Sequence, residues 1–392
     1  MTAKSATLAT LRELNARAVL DALVREPRLS RAEVARRLGM SKPTANHVIE
    51  ALVAAGLVRE AARPTDGLHY GAVFYEPAFD AGHLLGIDLG AGVVRGALAD
   101  LNGTVLARYD HPRSGTGAEA LRADAAAVLE QVTRLAETTP ETVLGTVAAV
   151  AGIVEPGSGR IRVSSEPEWE DHPIVDTLSP VLPHLLDVDN DVNLAALGEL
   201  RRGAGRESGD FAFLSLGSGV GAGLVLDGRL RRGHHGAAGE VDYPGRLPFA
   251  PESPAADSLR DLIATAHRAE SRAGRIPPGQ EPPTPQTLFE QARQGNGFAL
   301  RTVAEQARRV AASIAMIALV VDVPLVVVGG ELGADGAVLL DPLRTRLKEM
   351  VPFPPRVQIS ELGDAAVLVG AVSVAAATVW PRLVTERLTG AI

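Results

Sequence analysis

The run SKPTANH, from Ser41 to His47, brings together side chains able to read a DNA duplex. Ser41, Lys42, Thr44, Asn46 and His47 fall on the outer side of a helical pattern whose inner stripe is Ala45, Val48, Ile49 and Leu52. Early positions of a recognition helix reach base edges, and an asparagine amide pairs with adenine through two hydrogen bonds. Arg36, Arg37, Arg59 and Arg63 are placed to meet phosphates, which adds affinity without sequence information. Singly, each is also an ordinary solvated surface group; as a set they suit a groove. A second concentration of chemistry lies in two glycine-rich runs, GIDLGAG from Gly86 and LGSGVGAGLVLDG from Leu216. Backbone without side chains can bring its amides against phosphate oxygens, although a hairpin needs such glycines too. Asp191 is either the N-cap of VNLAALGEL or a ligand contact as well. Asp88 is either a site acid or a strand-end acid that ties down its loop, and Glu240 follows four small residues, a functional more than a structural setting.

The elements that must hold these residues follow from pattern. Leu11 to Arg25 reads as a helix with Leu11, Leu14, Ala18 and Leu23 on one face, ended by Pro27. Ser30 caps RAEVARRL with Glu33 at the capping-box position, Gly39 makes the turn, and Ser41 caps the next helix with Pro43 in its first turn. Ala35 is small where the two helices would cross, which is the helix-turn-helix layout. LVRE, the turn-rich RPTDGLHYG and VFYEP then form a wing. Beyond Pro77 the pattern changes to short apolar strands. HLLGIDLGAGVVRGALADLNGTV and FAFLSLGSGVGAGLVLDGRL each read as strand, turn, strand, ended by Asn-Gly or Asp-Gly. A repeat so far apart predicts two related lobes facing each other across a cleft. Leu300 to Val321 is a long helical pattern, suited to dimerisation or to packing within a lobe. Asp322 and Pro324 break the apolar stretch from Val310 into a buried helix and a buried strand rather than a membrane span.

Length and charge agree with this division. A chain of 392 residues predicts two or three domains. Net charge is −8, yet residues 1–77 carry 11 Lys+Arg against 8 Asp+Glu and the remainder 28 against 39, a mildly basic head on an acidic body. The lack of cysteine excludes disulfides, thiolate catalysis and every zinc site that needs cysteine. The histidines show no metal-ligand spacing, and His234-His235 reads as a loop. The first 30 residues hold no apolar run of an export signal, so a cytoplasmic protein is expected.

Six motifs stand in order behind the helix-turn-helix: GIDLGAG, DNDVNLAALGE from Asp189, LGSGVGAGLVLDG, GAAGE from Gly236, VVGGEL from Val327 and LGDAAVLVGA from Leu362. Through them the chain resembles the ROK family of repressors and sugar kinases along essentially its whole length. The resemblance implies an α/β protein, with a winged helix-turn-helix over residues 1–80 and a two-lobed actin-like ATPase fold of the sugar-kinase type, its lobes at 81–203 and 204–392. It matches Asp191 to the kinases' catalytic aspartate, the base that takes the proton of the attacking sugar hydroxyl, and Asn190 and Glu240 to sugar-contact residues. The departures separate sensor from kinase. The kinases' first phosphate loop reads D-x-G-G-T-K, whereas Asp88, Leu89 and Gly90 are followed by Ala91, Gly92 and Val93, without the hydroxyl or the lysine. The kinase histidine after the glutamate corresponds to Tyr243, and RLPFAPESPAADSL replaces a cysteine-rich zinc segment. Arg260 stands in place of a family sugar-binding glutamate, and Glu166, ahead of Trp169, in place of an asparagine. A base stripped of its phosphate clamp should transfer little phosphoryl.

The expectation is therefore a sugar-responsive transcriptional regulator, foremost a repressor, that is no longer an enzyme. Its head would bind a double-stranded operator. Its cleft would hold a sugar or sugar phosphate on Asn190, Asp191, Glu240 and Tyr243, without cofactor, metal or membrane, in a homodimer or dimer of dimers. The alternatives are a ROK sugar kinase carrying a DNA-binding head, and a regulator whose body is a ligand-free dimerisation or docking scaffold.

Overall fold

The computed structural model of the chain describes residues 8–62, 72–164, 166–242, 252–277, 279–334 and 336–389. Arg63 and Tyr243, expected at the DNA and effector sites, lie outside the described residues.

The head contains α1 (Leu8–Arg25), β1 (Leu29–Ser30), α2 (Arg31–Leu38), α3 (Lys42–Ala54), β2 (Val58–Ala61) and β3 (Phe74–Pro77). The capping box forms: the Ser30 amide donates to Glu33 Oε2 at 2.8 Å and the Glu33 amide to Ser30 Oγ at 3.3 Å. Gly39 ends α2 in the left-handed region (φ 64°), a conformation that favours glycine. Ser41 caps α3 by accepting from the Thr44 amide, and Ala45, Val48, Ile49 and Leu52 are its buried stripe, as the spacing predicts. The strands pair antiparallel in the order β1-β3-β2. The expected face of α1 is wrong by part of a turn. Leu11 and Leu14 are 48% and 54% exposed, while Ala16, Val19, Leu20 and Leu23 are buried, because packing against α3 and the last helix of the chain selects the face.

The first lobe runs β4 (His83–Leu89), β5 (Val93–Asp100), β6 (Val105–Pro112), α4 (Gly117–Leu135), β7 (Val143–Val150), β8 (Ile153–Val154), β9 (Ile161–Val163), α5 (Ile174–Leu178), β10 (Leu185–Asn190) and α6 (Asp191–Arg202). Its sheet has the order β10-β7-β4-β5-β6, with β4, β7 and β10 parallel and β5 and β6 antiparallel additions. There follow β11 (Phe211–Leu216), β12 (Val220–Leu226), β13 (Arg229–Leu230), α7 (Ala256–Arg272), α8 (Pro285–Arg293), α9 (Gly297–Val321), β14 (Leu325–Gly329), α10 (Glu331–Ala334), α11 (Leu340–Met350), β15 (Arg356–Ile359) and α12 (Ala366–Thr389). The order β15-β14-β11-β12-β13 repeats the first sheet strand for strand. The repeat read from the glycine hairpins is thus a repeat of topology. Asp227 and Gly228 both take positive φ (56° and 66°) between β12 and β13, as a tight hairpin turn requires.

The last helix leaves the second lobe. α12 packs on β4, β5 and β7 of the first sheet and along α6. Its Ala371, Val372, Ala375, Val379, Leu383 and Val384 share one apolar core with Leu84, Ala99 and Val147 of that sheet and with Val19, Leu20 and Ile49 of the head. The range 204–392 expected for the second lobe therefore divides, and 366–389 goes with the first. The segment is long and apolar enough to cross a membrane, with a mean hydropathy of 1.7, but here its apolar face lies in this core. Where α6 and α12 cross, a Cβ on Gly370 would stand 1.8 Å from the Leu194 carbonyl oxygen, and one on Gly198 2.3 Å from that of Ala366. Past the crossing, Trp380 Nε1 donates to the Leu101 carbonyl at 2.7 Å, and Thr385 meets Arg17 of α1 at 2.9 Å. Head and body are joined by a continuous core and a shared helix.

Candidate functional site

On the recognition helix, Ser41, Lys42 and His47 are exposed and Thr44 and Asn46 half-buried. Ser41 Oγ and Thr44 Oγ1 lie 2.7 Å apart within the cap, so both hydroxyls are already engaged. Arg36 is exposed. Arg37 is not free: its guanidinium grips Glu26, with one contact at 2.7 Å, and that hydrogen bond holds the Glu26 carboxyl below its usual range. Arg59 is likewise bound to Glu76 at 3.0 Å and Asp80 at 2.7 Å. Surface pairs of this kind contribute little and exchange readily, so phosphate can displace the carboxylates. Arg31, which no sequence pattern marks, braces the head by donating from Nε to Tyr75 Oη at 2.9 Å.

In the body, Asn190 rather than Asp191 is the cap of α6. Its Oδ1 accepts from the Asn193 amide at 3.0 Å, and its Nδ2 donates to the Gly152 carbonyl at 2.9 Å. The capping role considered for Asp191 is therefore corrected: Asp191 is already the first residue of the helix. Its Oδ1 accepts from the Val192 amide at 2.9 Å, and Asp88 and Glu240 press on its charge. Burial first, then Asp88, pushes its pKa up to about 7. Burial also raises Asp88, against the pull of Arg95, whose Nη1 lies 3.1 Å from Asp88 Oδ2, and burial raises Glu240. Three carboxyls thus meet at the cleft, and among the described residues Arg95 is the one arginine ion-paired to any of them.

Glu240 is placed by the glycines before it. A Cβ on Gly236 (φ 80°) would stand 2.1 Å from the Val154 oxygen of the first lobe, and one on Gly239 (φ 95°) 1.7 Å from the Ala222 oxygen of the second. The GAAGE loop is wedged between the lobes, and only glycine fits both contacts. Beside it Arg232 reaches across to Asp189, which is 4% exposed, at 2.6 Å. Sequence reasoning missed this pair, since nothing local links residues 43 positions apart. Glu166 accepts from Trp169 Nε1 at 3.2 Å and joins Leu89, Arg113 and Ser164 round a cavity of about 20 Å³, room for a water and not for a sugar. Arg260, which stands in place of a family sugar-binding glutamate, is exposed and paired with Asp257 on α7.

The protein-family model described as the ROK family matches residues 84–378, about three quarters of the chain. The chain belongs to the ROK family. A winged helix-turn-helix DNA-binding model matches residues 12–59 of this ROK protein. The chain is 24% identical over 383 residues to the xylose repressor of Caldicellulosiruptor bescii, covering 93% of itself and 95% of that repressor. It is 27% identical over 315 residues to the glucokinase of Streptomyces coelicolor, covering 75% of itself and 98% of the enzyme. Among solved structures, a ROK family transcriptional regulator described as a homologue of the Escherichia coli MLC protein shares its fold, with TM-score 0.77, 19% identity and coverage of 97% and 99%. A Streptomyces griseus ROK glucokinase in complex with glucose and AMPPNP gives TM-score 0.65 and 25% identity, over 75% of this chain and 99% of that one. The repressor and regulator matches take in the head, and the kinase matches leave a quarter of the chain unmatched.

Proposed function

We propose that this ROK protein is a sugar-responsive transcriptional repressor whose kinase chemistry has been lost. The observation that carries the reading is the physical continuity between the two sites: α6 begins at Asp191, crosses α12 through Gly198 and Gly370, and α12 packs on α1 and α3 of the head. Sugar hydroxyls that donate to Asp191 and Glu240 would relieve their mutual repulsion and draw the wedged GAAGE loop inward. The resulting shift of α6 reaches the recognition helix through α12. Phosphoryl transfer is disfavoured because Asp88 is committed to Arg95, and Gly92 and Val93 offer no hydroxyl or lysine to a phosphate. Met316, Leu319 and Val320 on α9, 36%, 64% and 84% exposed, supply an apolar face for a second copy. Paired heads must match half-sites about 34–36 Å apart, so a modest rotation releases the operator.

The test combines thermal melts against a sugar panel with operator titrations. A sugar that raises the melting temperature should weaken operator binding, and Asn46→Ala should cost about 1–3 kcal/mol on the operator and little on random DNA. Turnover of a sugar with ATP at rates of roughly 1–100 s⁻¹ would return the molecule to the kinases. A sugar that binds without changing operator affinity would leave the body a scaffold.

A further inference from the structure

A cavity of about 500 Å³ opens in the second lobe between the end of α7, α8 and the start of α9. The Ala256 amide, at the head of α7, donates to the Gly217 carbonyl of the glycine loop. His267 follows eleven residues on, about 16 Å further along the helix at 1.5 Å per residue, so this cavity is separate from the cleft acids. Its volume is in the usual range for a small-molecule site, on the order of 300–1,000 Å³.

We propose that this cavity is a second ligand site, built for a small polar oxyanion, either a carboxylate or a phosphate ester. His267 lines it, is only 6% exposed, and carries a buried Nε2 without a hydrogen-bond partner. A buried polar nitrogen left unmatched is costly, and a small turn of the imidazole toward the cavity would let an oxygen of a bound anion meet it. Arg275 and Arg301 both close on Glu270, at 2.5 Å and 2.9 Å, so two guanidinium groups are gathered on one carboxylate at the wall, with Glu281 balancing the charge of the set. Arg301 also leans over the start of α9, where its Nη1 would lie 3.5 Å from a Cβ on Gly297. α9 is 25 residues long, is capped by Asn296, and has no acid in its first turn. The first-turn amides of α9 therefore border the cavity without an acid of their own helix, and Glu270 nearby is already held by Arg275 and Arg301. Gln280, Gln291 and Thr287 add polar contacts, and Glu281, the one further carboxylate on the wall, is exposed. Ile276, Pro277, Pro283 and Phe298 complete the wall, so it suits a small anion that also carries carbon surface.

The experiment is calorimetric titration of the full-length protein with inorganic phosphate, D-gluconate and 6-phosphogluconate, with glucose as the neutral control. At least one anion should bind saturably. Arg301→Gln, a change at an exposed side chain, and Gln291→Ala should each weaken it roughly tenfold or more, as loss of a charge-assisted contact does. Asp191→Asn should leave that affinity within about twofold, since sites with no shared partner are independent. Phosphate binding alone would assign the site to phosphate esters, and gluconate binding to carboxylates. The proposal is overturned if no anion saturates, or if binding is unchanged in Arg301→Gln and lost in Asp191→Asn, which would place the anion in the cleft. None of these outcomes depends on the head responding to sugar, so the repressor reading stands or falls separately.

Discussion

α3 in the head and α6 in the body open in the same way. Each has a short polar N-cap, Ser41 or Asn190, followed at once by a charged residue, Lys42 or Asp191. The first turn of α3 stands in solvent with no acid in it, so Lys42, Asn46 and His47 are free to reach outward. The first turn of α6 enters a desolvated cleft, where the same local device holds a carboxyl at a pKa of about 7. The contrast is one of leverage. Exposed groups on α3 select a ligand by what they present, whereas a buried charge on α6 stores unfavourable energy that a ligand can release. The helix that joins them, α12, has to be rigid for that release to be felt at the head.

The largest expected effect comes from breaking the joint between α6 and α12. Gly370→Ala drives a methyl into the Leu194 carbonyl, a backbone contact that no rotamer change can relieve. The expected loss is about 3 kcal/mol or more, the upper end of overpacking costs, read by urea denaturation. Gly92→Ala is the control: a Cβ there meets nothing within 4 Å, and the change should stay within about 0.5 kcal/mol. Equal stability of the two variants would mean that the helices are not in tight contact, and the coupling route would go with it.

The next effect is on the buried carboxyl. The unfolded Asp191 loses its proton near pH 3.8 and the folded one near 7. Between those values the folded state holds a proton that the unfolded state lacks, so this group makes stability fall as pH rises through the window and level off above it. Asp191→Asn removes the ionisation. It should match the wild type near pH 4 and exceed it at pH 8, by on the order of 4 kcal/mol for a shift of this size. Denaturation curves at pH 5 to 8 read the difference directly. A variant less stable than wild type at pH 8 would show that the carboxylate is stabilised in the cleft, and the relief-of-repulsion mechanism would fail.

What the sequence disclosed follows the range of the interactions. The capping box at Ser30 and Glu33, the buried stripe of α3 and the hairpin turn at Asp227-Gly228 are local devices, and each was legible from spacing. The topological repeat was legible because both glycine hairpins carry it. The choice of cap between Asn190 and Asp191 was not, since either residue can cap, and the position at which β10 ends beside β7 decides. The inner face of α1 and the destination of α12 depend on each other across more than 350 residues, and no window contains both. The Arg232–Asp189 pair and the cavity beside His267 likewise exist only once the lobes are folded.

The smallest effect separates Arg36 from Arg37. The two are adjacent, exposed and equally placed for phosphate by sequence, but Arg37 is held by Glu26 and Arg36 makes no ion pair among the described residues. Each guanidinium that takes a phosphate releases counterions and steepens the log–log salt dependence of binding by about 0.9. With Glu26 competing for Arg37, Arg37→Ala should flatten the slope less than Arg36→Ala does. Glu26→Gln removes the competitor without changing the length of the side chain. In that background binding to any duplex should strengthen, its salt slope should steepen, and the two alanine substitutions should become equivalent. The ratio of operator to random-DNA affinity should not move, because phosphate contacts carry no base information. Salt titrations of the three single and two double variants measure all of this. If Arg37→Ala costs the same slope with and without Glu26, phosphate already displaces the carboxylate completely, and the tether seen in the free protein has no bearing on the bound one.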